Sequence, residues 1–205
     1  MRASGAWQTH QMGLLMKRKG VFVLGPEGSG SKLVARIVAH ILEVDSFESW
    51  GGGGCVDRGG HKVCHRSIPY GTASRMPDVN AWVADHEEDY ELLLIIAIRD
   101  RTLSENSRLE RFSKPYRRVQ QESEEARALL AEVLEGEQRC FIWSYETFMF
   151  LGATYLKRLY TFLGVSSDFM PVLVDGNKKR LQRGGLDKIL RLQAGLLRRL
   201  RRIGR

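Results

Sequence analysis

Cysteine is scarce in this chain of 205 residues: Cys55, Cys64 and Cys140 are the only three. That number, small and odd, excludes the dense disulfide framework of a small secreted scaffold, and a reducing compartment is expected. Long apolar runs are missing too. The longest, Leu92 to Ile98, spans seven residues, whereas a membrane-crossing helix needs about 20. The apolar patch Met12 to Met16 precedes Lys17-Arg18-Lys19, the wrong order and too short for a secretory signal. From these absences a cytoplasmic location is expected. There is no internal repeat and no low-complexity tract beyond Gly51 to Gly54. What remains is a chain with 43% hydrophobic and 27% charged residues, which fits one globular domain around a single core.

The net charge of +8 suggests nucleic acid until it is located along the chain. Residues 177–205 hold eleven Lys and Arg against one acid, Asp187, so the preceding 176 residues together carry −2. The basicity belongs to a tail, and no specific nucleic-acid binding is expected of the body. Within that tail Leu186, Ile189, Leu190, Leu196, Leu197, Leu200 and Ile203 share one helical face. Lys188, Arg191, Arg198, Arg199 and Arg202 occupy the other. This pattern predicts a helix over Leu186 to Ile203 that either closes the domain with its arginines solvated, or meets an anionic membrane surface or acidic partner. The domain reading is therefore an N-terminal extension over 1–19, an α/β domain over 20–183 and a basic amphipathic helix over 184–205.

Inside the domain, Val21 to Leu24 reads as a buried strand stopped by Gly25-Pro26. Leu33, Val34, Ile37, Val38 and Ile41 then recur at helical spacing. Residues 44–77, with their glycine run, Pro69 and Pro77, read as a long irregular excursion. Beyond it the pattern predicts a helix over Val79 to Asp89 and a buried strand over Glu91 to Ile98. Helices over Thr102 to Phe112 and Glu122 to Leu134 follow, then a strand over Cys140 to Trp143. One or two helices over Tyr145 to Leu163 end at Gly164. Such alternation predicts a parallel sheet flanked by helices.

The segment Gly25-Pro26-Glu27-Gly28-Ser29-Gly30-Ser31-Lys32 lies between a strand and a helix. Glycines let a backbone approach a phosphate with its N–H groups turned inward, and the next helix points its positive end at the anion. The spacing is not that of an ATPase. The nucleoside-triphosphate loop places Lys directly after its last Gly and a hydroxyl residue after that Lys to hold magnesium; here Ser31 intervenes and Leu33 follows Lys32.

Ser29-Gly30-Ser31 instead resembles the 5′-phosphosulfate loop of sulfotransferases that use 3′-phosphoadenosine-5′-phosphosulfate. In that family a basic residue normally precedes the Ser; Gly28 stands there in this chain, and Lys32 supplies the charge from the following turn. A second stretch, Ile98-Arg99-Asp100-Arg101 through Ser107, is similar to the family's 3′-phosphate clamp, an Arg at a strand end and a Ser eight positions on. Arg99 and Ser107 have that spacing. Eight residues span a little over two helical turns, and a guanidinium offers a planar fork to phosphate oxygens. Trp143-Ser144-Tyr145-Glu146 through Phe162-Leu163-Gly164 resembles the family's C-terminal half. There a flexible segment covers the nucleotide, and Asp175 to Lys179, with Asn177 and Lys178, corresponds to it.

The resemblance implies a P-loop-like α/β fold, 3′-phosphoadenosine-5′-phosphosulfate as cosubstrate, and sulfuryl transfer to a hydroxyl or amine. Gly28, Ser29, Gly30, Ser31, Lys32, Arg99, Ser107, Asn177 and Lys178 would bind the nucleotide. His65, upstream of Ile68-Pro69, is the counterpart of the family's catalytic base, with His61 a second candidate and Lys32 assisting. Three other readings stand beside this one. Lys32 and Asp100 would serve an ATP-dependent small-molecule kinase, and the same loop would serve a non-catalytic nucleotide-binding protein. Cys55, His61, Cys64 and His65 form a C-x5-H-x2-C-H set that matches no common zinc finger.

Overall fold

A computed structural model describes residues 18–50, 54–71, 73–112 and 114–177. The elements are β1 (Lys19–Pro26), α1 (Ser31–Ile41), β2 (Gly54–Arg58), β3 (His61–Ile68), α2 (Val79–Ala84) and β4 (Glu91–Ile98), then α3 (Arg101–Phe112), α4 (Tyr116–Glu135), β5 (Arg139–Ser144), α5 (Tyr145–Leu151) and α6 (Ala153–Leu163). The strands form one sheet in the order β2-β3-β1-β4-β5, parallel throughout except for β2, which runs antiparallel to β3 at the edge. Among the described residues no helix is long and apolar enough to cross a membrane.

Alternation along the central strands divides the core in two. Val21, Val23, Leu93, Ile95 and Ala97 face α1, α5 and α6, packing with Val34, Val38, Phe148 and Leu156. Phe22, Leu24, Leu92, Leu94 and Ile96 face the other way, toward Trp82, Ala126, Leu130 and Val133. With both faces covered, β1 and β4 have no solvent side, which is why their sequences are unbroken apolar runs.

The irregular excursion expected over 44–77 is replaced by β2, the Gly59-Gly60 turn and β3. In β3, Lys62, His65, Arg66 and Ser67 interrupt the apolar pattern, so the strand declares itself only through its ladder with β1. No cysteine pairing was read from the sequence, which pointed to a reducing compartment. Cys55 and Cys64 are directly opposed in the β2–β3 register and are joined as a disulfide, with Cα atoms 4.0 Å apart, while Cys140 stays a free thiol whose pKa burial raises. Two of the four residues of the zinc set are thereby spent, and among the described residues no group of three or more His, Cys, Asp or Glu can hold a metal ion.

Smaller differences have local causes. Helix α2 stops at Ala84 instead of Asp89, and α4 begins at Tyr116, directly after Pro115. Gly152, at φ 54°, divides 145–163 into α5 and α6. Lys19, assigned from sequence to the N-terminal extension, is the first residue of β1. The rest of that extension up to residue 17, Lys178 and the basic helix expected over 184–205 lie outside the described residues.

Candidate functional site

After β1 the chain crosses to β3 on one side, then returns to β4 on the other. That reversal opens a crevice at the carboxyl ends of the parallel strands, where α/β sheets bind ligands. The glycine turn lies there. Gly28 and Gly30 have φ of 86° and 89°, the left-handed region that glycine enters without strain. Ser29 N–H donates to the Pro26 carbonyl at 3.0 Å, and α1 opens at Ser31 with no side-chain cap, Leu33 and Val34 N–H donating to the Gly30 carbonyl. The Ser29 hydroxyl is fully buried and has no hydrogen-bond partner.

The end of β4 and the start of α3 grip this turn from one side. Arg99 Nη1 donates to the Gly28 carbonyl at 2.9 Å, and Ser104 Oγ donates to the Glu27 carbonyl at 3.0 Å. Arg99 also donates from Nε to Asn177 Oδ1 at 3.0 Å and from Nη2 to the same oxygen, and its guanidinium lies 4.7 Å from the Tyr145 ring centre. Tyr145 closes the far wall, its hydroxyl accepting the Gly176 N–H at 3.0 Å. Ser107 is buried on α3, its Cβ 3.4 Å from where a Cβ on Gly28 would lie. The residues Gly28, Ser29, Arg99, Ser107 and Asn177, separated by up to 149 positions in the sequence, therefore meet at one place. Lys32 is exposed on the first turn of α1.

Two cavities flank the turn. One, of about 220 Å³, is lined by Ser29, Arg99, Arg101, Ser104, Glu105 and Arg127 among others. Its three guanidinium groups are already engaged: Arg101 pairs with Glu105 and Glu124, Arg127 pairs with Glu124, and Arg99 donates to Gly28 and Asn177. Sequence reasoning missed Ser104, Arg101 and Arg127; only their neighbour Ser107 carried a recognisable spacing. The other, of about 350 Å³, is lined by Glu27, Gly54, His65, Arg66, Ser67, Tyr70 and Gly71.

His65 is a buried strand residue, contrary to its expected place in a loop. Its Nε2 is 3.0 Å from Ser31 Oγ, and its Nδ1 is buried without a partner. Burial first, then the charges of Arg66 and Lys32, lower its pKa to about 4. The imidazole is thus neutral at pH 7, and its contact with the site runs through the Ser31 hydroxyl. His61 starts β3 at the opposite end of the strand, where Nδ1 accepts the Lys19 N–H at 2.9 Å, so it stands apart from the turn. Asp100 caps α3 by accepting the Leu103 N–H at 2.9 Å.

A pH-dependent stability follows. In the unfolded chain His65 takes up a proton below about pH 6.5, whereas in the folded chain it does so only near pH 4. Its contribution is complete above pH 6.5 and is lost as pH falls from there toward 4. A shift of that size corresponds to about 3 kcal/mol. Denaturant melts at pH 7 and pH 4.5 should show His65→Gln losing less stability on acidification than the parent, and parallel losses would remove His65 as the cause.

No family model, curated protein or solved structure matches the chain significantly.

Proposed function

We propose that this chain is a sulfotransferase-like enzyme that uses 3′-phosphoadenosine-5′-phosphosulfate. The observation carrying the reading is the meeting of the glycine turn with Arg99, Ser107 and Asn177 at the ends of β1 and β4, with His65 and a second cavity on the other side. The residues present fit such a nucleotide. Ser29 Oγ is a buried hydroxyl lacking a partner, Gly28 and Gly30 leave the backbone bare, and Arg99 lines the smaller cavity. Ser29, Gly30, Ser31 and Lys32 would hold the 5′ end; Arg99, Ser107 and Asn177, with Lys178 beyond the described residues, would hold the 3′-phosphate. The nucleotide supplies the sulfuryl group, and the acceptor hydroxyl or amine enters from the cavity that His65 lines. Attack on sulfur would break its bond to the 5′-phosphate oxygen and release adenosine 3′,5′-bisphosphate, with the acceptor's proton leaving to water; His65, whose pKa is lowered to about 4, would act by orienting the Ser31 hydroxyl bonded to its Nε2.

Against a kinase stand the missing hydroxyl after Lys32 and the use of Asp100 as a helix cap. A second reading, nucleotide binding without turnover, draws support from His65, since one ring nitrogen is engaged and the other is buried. A thermal-shift comparison tests the main reading. Adenosine 3′,5′-bisphosphate should raise the melting temperature without magnesium, because a ligand at 100 times its Kd adds about 2.7 kcal/mol to the native state. A larger, magnesium-dependent shift with ATP would replace this reading with the kinase.

A further inference from the structure

An acid in a phosphate-binding turn is out of place, because its charge opposes the ligand. Glu27 is such an acid, one residue before Gly28. Its carboxylate lies 3.5 Å from Arg108 Nε, an ion pair without a hydrogen bond, and accepts from Lys114 Nζ at 3.5 Å. Arg108 is among the most deeply buried side chains in the fold, and it also pairs with Glu122 of α4 and donates to the Val119 carbonyl and Ser123 Oγ. Glu122, itself buried, accepts from Lys114 at 3.0 Å, from Arg118 at 3.0 Å and from Ser74 Oγ at 2.8 Å. Burial alone would raise its pKa, but the hydrogen bonds from Ser74, Lys114 and Arg118 bring it below the usual carboxylate range. Ser74 belongs to the turn closed by the Tyr70–Arg75 bridge, whose Tyr70 and Gly71 line the larger cavity.

The structure assigns Glu27, Arg108 and Glu122, we infer, as positioning residues that fix the glycine turn and link it to the wall of the second cavity. The inference rests on reading that turn as the nucleotide's binding loop. Arg108 and Glu122 line neither cavity, so they act only through what they hold. Buried ions of this kind cost more desolvation than a surface pair returns, and deleting one partner strands the others. Here the chain charges that cost at the one turn whose backbone must be held still, together with Ser104 on the Glu27 carbonyl and Arg99 on the Gly28 carbonyl.

Glu27→Gln separates positioning from simple electrostatics, because the two predict opposite signs. Removing a negative charge beside the loop should tighten anion binding if charge were its only role. If Glu27 positions the turn, adenosine 3′,5′-bisphosphate should bind the full chain roughly tenfold more weakly by calorimetry, the scale of one charge-assisted contact. Backbone amides of residues 25–33 should also exchange hydrogen faster in the variant, with the melting temperature little changed. Arg108→Met should weaken binding as well, and the double variant should be no weaker than the worse single one. If Arg108→Met does not fold, Glu27→Gln, at a half-buried loop position, decides alone. Equal or tighter binding by Glu27→Gln with unchanged loop exchange overturns the inference and leaves the nucleotide reading intact. Should the parent chain itself not bind the bisphosphate, the nucleotide reading fails, and the exchange data by themselves decide whether the network holds the turn.

Discussion

Gly30→Val should abolish nucleotide binding in a chain that still folds. A Cβ at residue 30 would lie 2.9 Å from Tyr145 Cδ2, nearer than real Cβ atoms approach a ring carbon. The backbone there has φ of 89°, a conformation in which a β-branched residue is a strained outlier. Such strain costs on the order of 1–3 kcal/mol, within the roughly 5–15 kcal/mol by which domains are stable. Relief comes by moving Tyr145 or by flattening the turn. Either move damages the site, since Tyr145 stacks on Arg99 and anchors Gly176, and the turn presents the amides. Gly28 is roomier: its added Cβ would meet the Ser104 carbonyl at 3.3 Å and Ser107 Cβ at 3.4 Å. Calorimetry with adenosine 3′,5′-bisphosphate beside a circular dichroism melt gives the answer. A folded Gly30→Val that keeps the parent's affinity would reduce the segment to a structural turn.

The same geometry shows which parts of the site a linear chain can display. β1 and β4 were legible because each is buried on both faces, so Val21 to Leu24 and Leu92 to Ala97 stand out as apolar runs. β3 was hidden because its polar residues are the site's own: His65 reaches Ser31, and Arg66 donates to the His65 carbonyl. Reading 44–77 as a loop therefore misplaced His65 as a loop residue and also concealed the Cys55–Cys64 pairing, which depends on strand register alone. Arg99 and Ser107 were visible only through a spacing shared with the resembled family, Arg99 preceding α3 and Ser107 lying within it. Ser104, one turn earlier on α3, lines the smaller cavity but has no spacing to mark it, and Arg108 and Glu122 are meaningful only once α3 and α4 pack together. Glu27, the acid within the recognised turn, was the signal that a buried cation had to lie nearby.

Arg99→Ala should weaken adenosine 3′,5′-bisphosphate far more than adenosine 5′-phosphate. The side chain is 8% exposed, and three of its donor hydrogens are already placed, one on the Gly28 carbonyl and two on Asn177 Oδ1. A guanidinium carries five, so donors remain for a phosphate while the fork stays aimed by its protein partners. Losing a charge-assisted contact costs about 1.5–3 kcal/mol, an effect of roughly 10- to 150-fold on the bisphosphate. Adenosine 5′-phosphate has no 3′-phosphate to lose, yet it will not be untouched, because the Gly28 carbonyl also loses its partner and the 5′ loop slackens. The difference between the two losses, not either one alone, measures the 3′ contact. Arg99→Lys sharpens the comparison: it keeps the charge, but a single ammonium cannot serve Gly28, Asn177 and a phosphate in one plane, so much of the bisphosphate's loss should persist. If calorimetry finds the two ligands weakened equally by Arg99→Ala, Arg99 supports the turn and nothing more, and the 3′-phosphate must be sought elsewhere in the crevice.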